Sequence, residues 1–138
     1  MFAAFPLLAI PVVIYNFFAV TMIATSKGSF ADAWTHTLFN VPMPRNAQWA
    51  VSGGDLLVLV GLIMLFFELL KATNNNKIAI INHSLSMILF VICLVEFLLI
   101  PAFATSTFFL LTMMVLLDVL AGFIVTIVSA RRDIDIIH

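Results

Sequence analysis

Charge is what this chain has least of. Six Lys and Arg and seven Asp and Glu are spread over 138 residues, 9% of the sequence, and the net charge is −1. A soluble domain carries about 25% charged residues, so the composition excludes an ordinary water-soluble fold. With no basic surface, nothing argues for a nucleic-acid partner. There is one cysteine, Cys93, inside an apolar run, which excludes an intramolecular disulfide and a cysteine-based metal cluster. No Lys or Arg precedes Lys27. The basic n-region of a secretory signal is therefore missing, no small-x-small cleavage site follows, and the expectation is mature protein from Met1 onward. No Gly-rich phosphate loop, His-Glu-x-x-His pattern or nucleophile elbow occurs. Only His83 of the histidines lies in an apolar run, too few for a bis-histidine haem. The expectation is a non-enzyme with no catalytic residue, no metal and no cofactor.

What is present is apolar. Hydrophobic residues make up 64% of the chain and the mean hydropathy is +1.22. The length is that of one domain, 1–138. Four apolar runs, 5–24, 50–71, 78–100 and 105–130, each approach or exceed the roughly 20 residues that a helix needs to cross the hydrocarbon core. The expected fold is an all-α membrane protein: a four-helix transmembrane bundle with one short amphipathic interfacial helix at about 29–40, embedded in the lipid bilayer.

The first run contains Pro6 and Pro11, which predict a kink or a late helix start. Between the first and second runs, Ser29 to Asp32 has the spacing of a capping box. Phe30, Trp34 and Leu38 recur at i, i+4 and i+8, hence the surface helix, ended by Pro42 and Pro44. Trp34 and Trp49 are its interfacial anchors, and His36 is a solvated interface residue. Thr73 to Asn76 predicts a polar turn between antiparallel helices, and Pro101 stops the third helix. Arg131 and Arg132 close the fourth, leaving a short exposed tail.

Lys71, Lys77, Arg131 and Arg132 outnumber Lys27 and Arg45 on the opposite side. This bias places both termini in the cytoplasm.

Against this background the polar residues inside the runs stand out. Asp118 has no charged neighbour from Ala104 to Leu117 or from Val119 to Ala130. An ionised carboxylate at mid-bilayer costs about 2.5–3.5 kcal/mol on insertion scales, so it must face helices or water, or be protonated. Gly54, Gly61 and Glu68 are spaced by seven and share a helix face, where small residues admit a close neighbour. Glu68 can pair with Lys71. Gly122 lies on the face of Asp118. Asn82, Ser86, Cys93 and Glu96 fall within about 80° on the third helical wheel at 100° per residue, with His83 beside them. Asn16 is the one strongly polar residue in the middle of the first run.

Depth estimates bring Glu68, His83 and Asp118 into one layer and leave Glu96 near the other end. Carboxylates meeting a histidine fit a proton relay or ion site and, less well, a metal site. The alternative is structural: Asp118 is neutral, hydrogen-bonded to Asn16, Ser86 or a threonine, and fixes helix register. Two functions follow. The first is an accessory or assembly subunit acting by helix packing with a membrane-protein partner. The second is a small homo-oligomeric proton-linked transporter or ion pathway.

Overall fold

The computed structural model describes residues 4–25, 30–72 and 77–137. Ser29 of the expected capping box and the polar turn at 73–76 lie outside the described residues. The chain is mostly helical, 82%. In order it forms α1 (Ala9–Thr25), α2 (Phe30–Thr35), β1 (Thr37–Pro42), β2 (Gln48–Ser52), α3 (Gly53–Ala72), α4 (Lys77–Leu99) and α5 (Ser106–Ile137).

Among the described residues three helices are long and apolar enough to cross a membrane: Gly53–Lys71, Ala79–Leu99 and Ser106–Ile136. The fourth candidate, α1, is apolar but has 17 residues, about 26 Å at 1.5 Å per residue. Its start is late because of Pro6. A tight turn, with Ala9 N–H donating to the Pro6 carbonyl at 3.1 Å and Ile10 N–H to that of Leu7 at 3.0 Å, leads into the helix. Pro11 falls in the first turn, where a backbone donor has no helical partner to lose.

The expectation of an all-α chain is corrected by the hairpin. The surface helix foreseen to about residue 40 stops at Thr35, and the chain turns into β1, which pairs antiparallel with β2 from Thr37↔Ser52 to Pro42↔Gln48. At its tip Arg45 (φ 64°) and Asn46 (φ 60°) are both left-handed, as primed hairpin turns require. Phe39 pairs with Val51 and Val41 with Trp49, so these four side chains share one face of the ribbon. The opposite face carries Asn40, Pro42, Gln48 and Ala50.

The ribbon feeds directly into α3 through a reciprocal cap. Asp55 N–H donates to the Ser52 hydroxyl at 3.2 Å, and Ser52 N–H donates to the Asp55 carboxylate at 3.0 Å. This is a capping box with Asp in the usual Glu position. The fourth helix corrects a second boundary. Arg131 and Arg132 do not end α5, which continues to Ile137.

Local contacts fix the helix directions. A side-chain carbon on Gly54 would meet Thr107, and one on Gly61 would meet Leu111 and Met114, so α3 and α5 run side by side in the same sense. Phe97 packs on Phe109 and His83 on Phe123, so α4 runs opposite to α5. At the start of α1, Phe5 meets Lys71, while Tyr15 stacks on Trp34; α1 therefore runs opposite to α3.

The core lies along α5. Phe108, Leu111 and Val115 are fully buried there, joined by Val12 and Tyr15 of α1 and Cys93 of α4. Tyr15 is its hub. Its ring stacks on Trp34 with centroids 4.7 Å apart and tilts against Phe103 and Phe108. Its hydroxyl donates to the Ala102 carbonyl at 2.9 Å. That uses its only proton, so Thr105 donates to the Tyr15 oxygen at 2.7 Å while accepting from Phe108 N–H at 3.2 Å. The cap of α5 and the seat of α1 are thus one hydrogen-bonded unit.

Candidate functional site

A polar layer lies at the end of the helices opposite Trp34. It begins with Glu68, on the α3 face that already carries Gly54 and Gly61. Two glycines let α5 come close, so the side chain one heptad further on is enclosed: Glu68 is 1% exposed. Its Oε1 accepts from Leu7 N–H at 2.6 Å and from Lys71 Nζ at 3.0 Å. Leu7 N–H is one of the donors that the start of a helix leaves unpaired. A carboxylate there also sits at the positive end of the helix dipole. Glu68 therefore caps α1 from a neighbouring helix.

The same N-terminal turn is gripped a second time. The Phe5 carbonyl accepts from Lys71 Nζ at 2.9 Å and from Asn82 Nδ2 at 3.3 Å. Lys71 reaches in from a partly open position, its side chain 25% exposed. Three elements, α3, α4 and the entry to α1, are tied at one point.

Asp118 of α5 completes the layer. It is 6% exposed, in hydrogen-bonding contact with Ser86 and within electrostatic reach of Glu68 and Lys71. Ser86 is itself buried, and its hydroxyl donates to the Asn82 carbonyl at 3.0 Å.

Of the residues expected to converge, Glu68 and Asp118 share this layer, within electrostatic reach of each other. His83 sits one turn away: its ring covers Gly122, whose missing side chain makes the room, and it meets Phe123 edge-on with centroids 4.8 Å apart. Glu96 is on the far part of α4, ten residues or about 15 Å from Ser86. It is hydrogen-bonded to Asn16 of α1, whose Nδ2 also donates to the Val12 carbonyl at 2.9 Å. Apolar core residues, Leu65, Leu111, Met114 and Val115 among them, lie between the two polar groups.

Trp34 packs against the core through Tyr15 and meets Phe18 edge-on. Trp49 is 53% exposed on the ribbon. A groove of about 410 Å³ opens beside Trp34, lined by apolar residues of α1, α2 and α3 such as Ile14, Phe18 and Leu57. Among the described residues no group of three His, Cys, Asp or Glu could hold a metal ion.

Sequence reasoning did not find the role of Leu7 and Phe5, whose contribution is backbone alone, nor that of Tyr15 and Thr105. The Ser52-Gly-Gly-Asp55 cap and the alternation of Phe39 with Val41 and of Trp49 with Val51 were present as signals. No known protein family, curated protein or solved structure matches the chain.

Proposed function

We propose that the chain is an integral membrane protein whose α1, α3, α4 and α5 all cross the bilayer as a four-helix bundle, and that it serves as a non-enzymatic accessory or assembly subunit. The observation that carries this reading is where its polarity goes. Glu68, Asn82, Ser86 and Asp118 are turned inward and engage each other or backbone groups of the same chain. The outside left to lipid or partners is apolar, most of all on α4, where 17% of the spanning window is buried against 39% for α5. The ribbon adds Phe39 and Trp49, both about half exposed on one face, a pair suited to the headgroup layer or to a partner lying in it.

The alternative, a proton-linked pathway, is favoured by the buried carboxylates, but among the described residues apolar side chains separate them. The apolar core between Asp118 and Glu96 supports packing over conduction.

Photo-crosslinking separates the two. A photoreactive residue in place of Trp49 or of Ile88, an exposed position on α4, is expected to give one protein adduct of defined mass in native membranes. Lipid adducts alone, together with pH-driven flux through proteoliposomes of the pure protein, would overturn the assembly reading.

A further inference from the structure

We propose that the groove between α1 and α3 is a binding site for one acyl chain of a membrane phospholipid whose headgroup carries a choline or ethanolamine nitrogen. The inference rests on the reading that α1 and α3 cross the bilayer, and it goes beyond the packing role.

The groove exists because α1 and α3 are tied at one end and wedged apart at the other. Glu68 and Lys71 hold the entry of α1 against α3. Toward the ribbon, α2 lies between them. Its Trp34 stacks on Tyr15 and meets Phe18 edge-on, while the Trp34 carbonyl oxygen would lie 2.8 Å from a side-chain carbon on Gly54. Alongside this wedge a gap of about 410 Å³ is left.

Its walls carry no charge. Ile14, Phe18 and Met22 line it from α1, and Leu56 and Val60 from α3. The indole N–H of Trp34 is the only hydrogen-bond donor among the lining side chains. A buried water needs two to four polar partners, and a polar ligand needs convergent groups to fix it. The lining offers neither. From Gly53 to Val60, and from Met22 back to Ile14, the groove runs about 10–12 Å at 1.5 Å per residue. It starts at the end of the α3 span, so it covers most of the roughly 15 Å of hydrocarbon in one leaflet. A partner helix needs a lane through both leaflets. Here α2 blocks the lane at the water end, and the tie of α1 to α3 closes it at the other. One acyl chain, entering sideways from the leaflet, matches both the polarity and the length, and flexible Met22 adapts to it.

Charge at the mouth selects the headgroup. Asp32 precedes Ala33 and Asp55 precedes Leu56, and Ala33 and Leu56 both line the groove. Both acidic residues are exposed, and no Lys or Arg adjoins a lining residue in the described chain. A cationic headgroup nitrogen is therefore favoured over an anionic headgroup. The Trp34 N–H suits an ester carbonyl at the same level.

The test is photolabelling in nanodiscs by phosphatidylcholine with a diazirine in mid-chain, the adducts being mapped by mass spectrometry. Ile14, Phe18 and Val60 should be labelled roughly fivefold or more above Ile88, an exposed position on α4, the ratio that about 1 kcal/mol of preference gives. Leu56→Trp and, separately, Ile14→Trp fill the groove from exposed positions. Each should bring labelling of the remaining groove residues down to the level of Ile88 and leave Ile88 as it was. A phosphatidylglycerol probe should label the groove less, by about two- to fivefold, the range of one exposed ion pair. Groove labelling no stronger than that of Ile88, unchanged in both Trp variants, or equal with the two probes would overturn the proposal. Val13 and Phe17, exposed on α1 outside the lining, tell its failure from that of the bilayer reading. If they are labelled and the groove is not, α1 is in the membrane and the groove binds no lipid. If neither is labelled, α1 lies outside the bilayer and both readings fall.

Discussion

Two glycines on the same face of α3 are expected to respond unequally to the same substitution. A methyl group on Gly54 would run into the Thr107 hydroxyl and lie 2.8 Å from the Trp34 carbonyl oxygen, which is backbone. The Trp34 carbonyl is held by α2 and by the stacking of its own ring on Tyr15, so it has little room to yield. A methyl group on Gly61 would lie 2.8 Å from Met114 Sδ and 2.9 Å from Leu111 Cδ2, the free ends of two flexible side chains. Replacing an interior helical glycine with alanine gains about 0.8–1.0 kcal/mol, and overpacking costs about 1–3 kcal/mol. At Gly61 the yielding side-chain ends hold the overpacking cost near its low end of about 1 kcal/mol, the two terms nearly cancel, and Gly61→Ala should stay within about 1 kcal/mol of wild type. Gly54 is the second residue of α3, where the propensity gain is smaller, so the full cost of about 1–3 kcal/mol remains for Gly54→Ala. Unfolding by sodium dodecyl sulfate in mixed micelles, followed by circular dichroism, reads both. A Gly54→Ala protein as stable as wild type, or a Gly61→Ala protein losing more than Gly54→Ala, would refute the reasoning.

Three further substitutions test the packing by the same assay. Tyr15→Phe removes the bond to Ala102 and leaves that carbonyl without its partner, for an expected loss of about 1–3 kcal/mol; no loss would mean the hydroxyl is idle. Glu68→Ala leaves Leu7 N–H without its acceptor and Lys71 with the Phe5 carbonyl alone, and because Lys71 can swing toward water the cost should fall near 3 kcal/mol, roughly the low end for breaking a buried pair, with faster amide exchange at Leu7. Trp34→Ala loses the stack on Tyr15 and part of the ring's burial, about 1–3 kcal/mol, while the protein should still insert into the membrane.

The helices were legible from hydrophobic runs because a bilayer-crossing helix has a length set by physics, and α3 and α4 begin and end within a few residues of their runs. The stretch around residues 30–52 was not. Phe30, Trp34 and Leu38 sample helical spacing only three times, and Leu38 in fact sits in β1 at an irregularity of the register. The competing signal, Phe39 and Val41 against Trp49 and Val51, is just as short, and Pro42 hides it. The end of α5 was misread for another reason. Arg131 and Arg132 mark where apolarity stops, but no Gly or Pro follows to stop a helix, and hydrogen bonding carries it on to Ile137. In the polar layer, the side chains of Glu68 and Asp118 could be placed on faces from spacing. The backbone groups of the layer, Leu7 N–H bonded to Glu68 and the Phe5 carbonyl bonded to Lys71 and Asn82, could not, because backbone groups leave no trace in a hydropathy pattern.

The most direct test of the whole arrangement is sidedness. Single cysteines replace Ala4, Arg45 or Arg132 in a Cys93→Ser background, and a membrane-impermeant thiol reagent is applied to each face of sealed vesicles. The Arg45→Cys protein should react from one face only, and the Ala4→Cys and Arg132→Cys proteins from the other. Reaction of Ala4→Cys and Arg45→Cys from the same face would show that α1 does not cross, and would contradict the bundle.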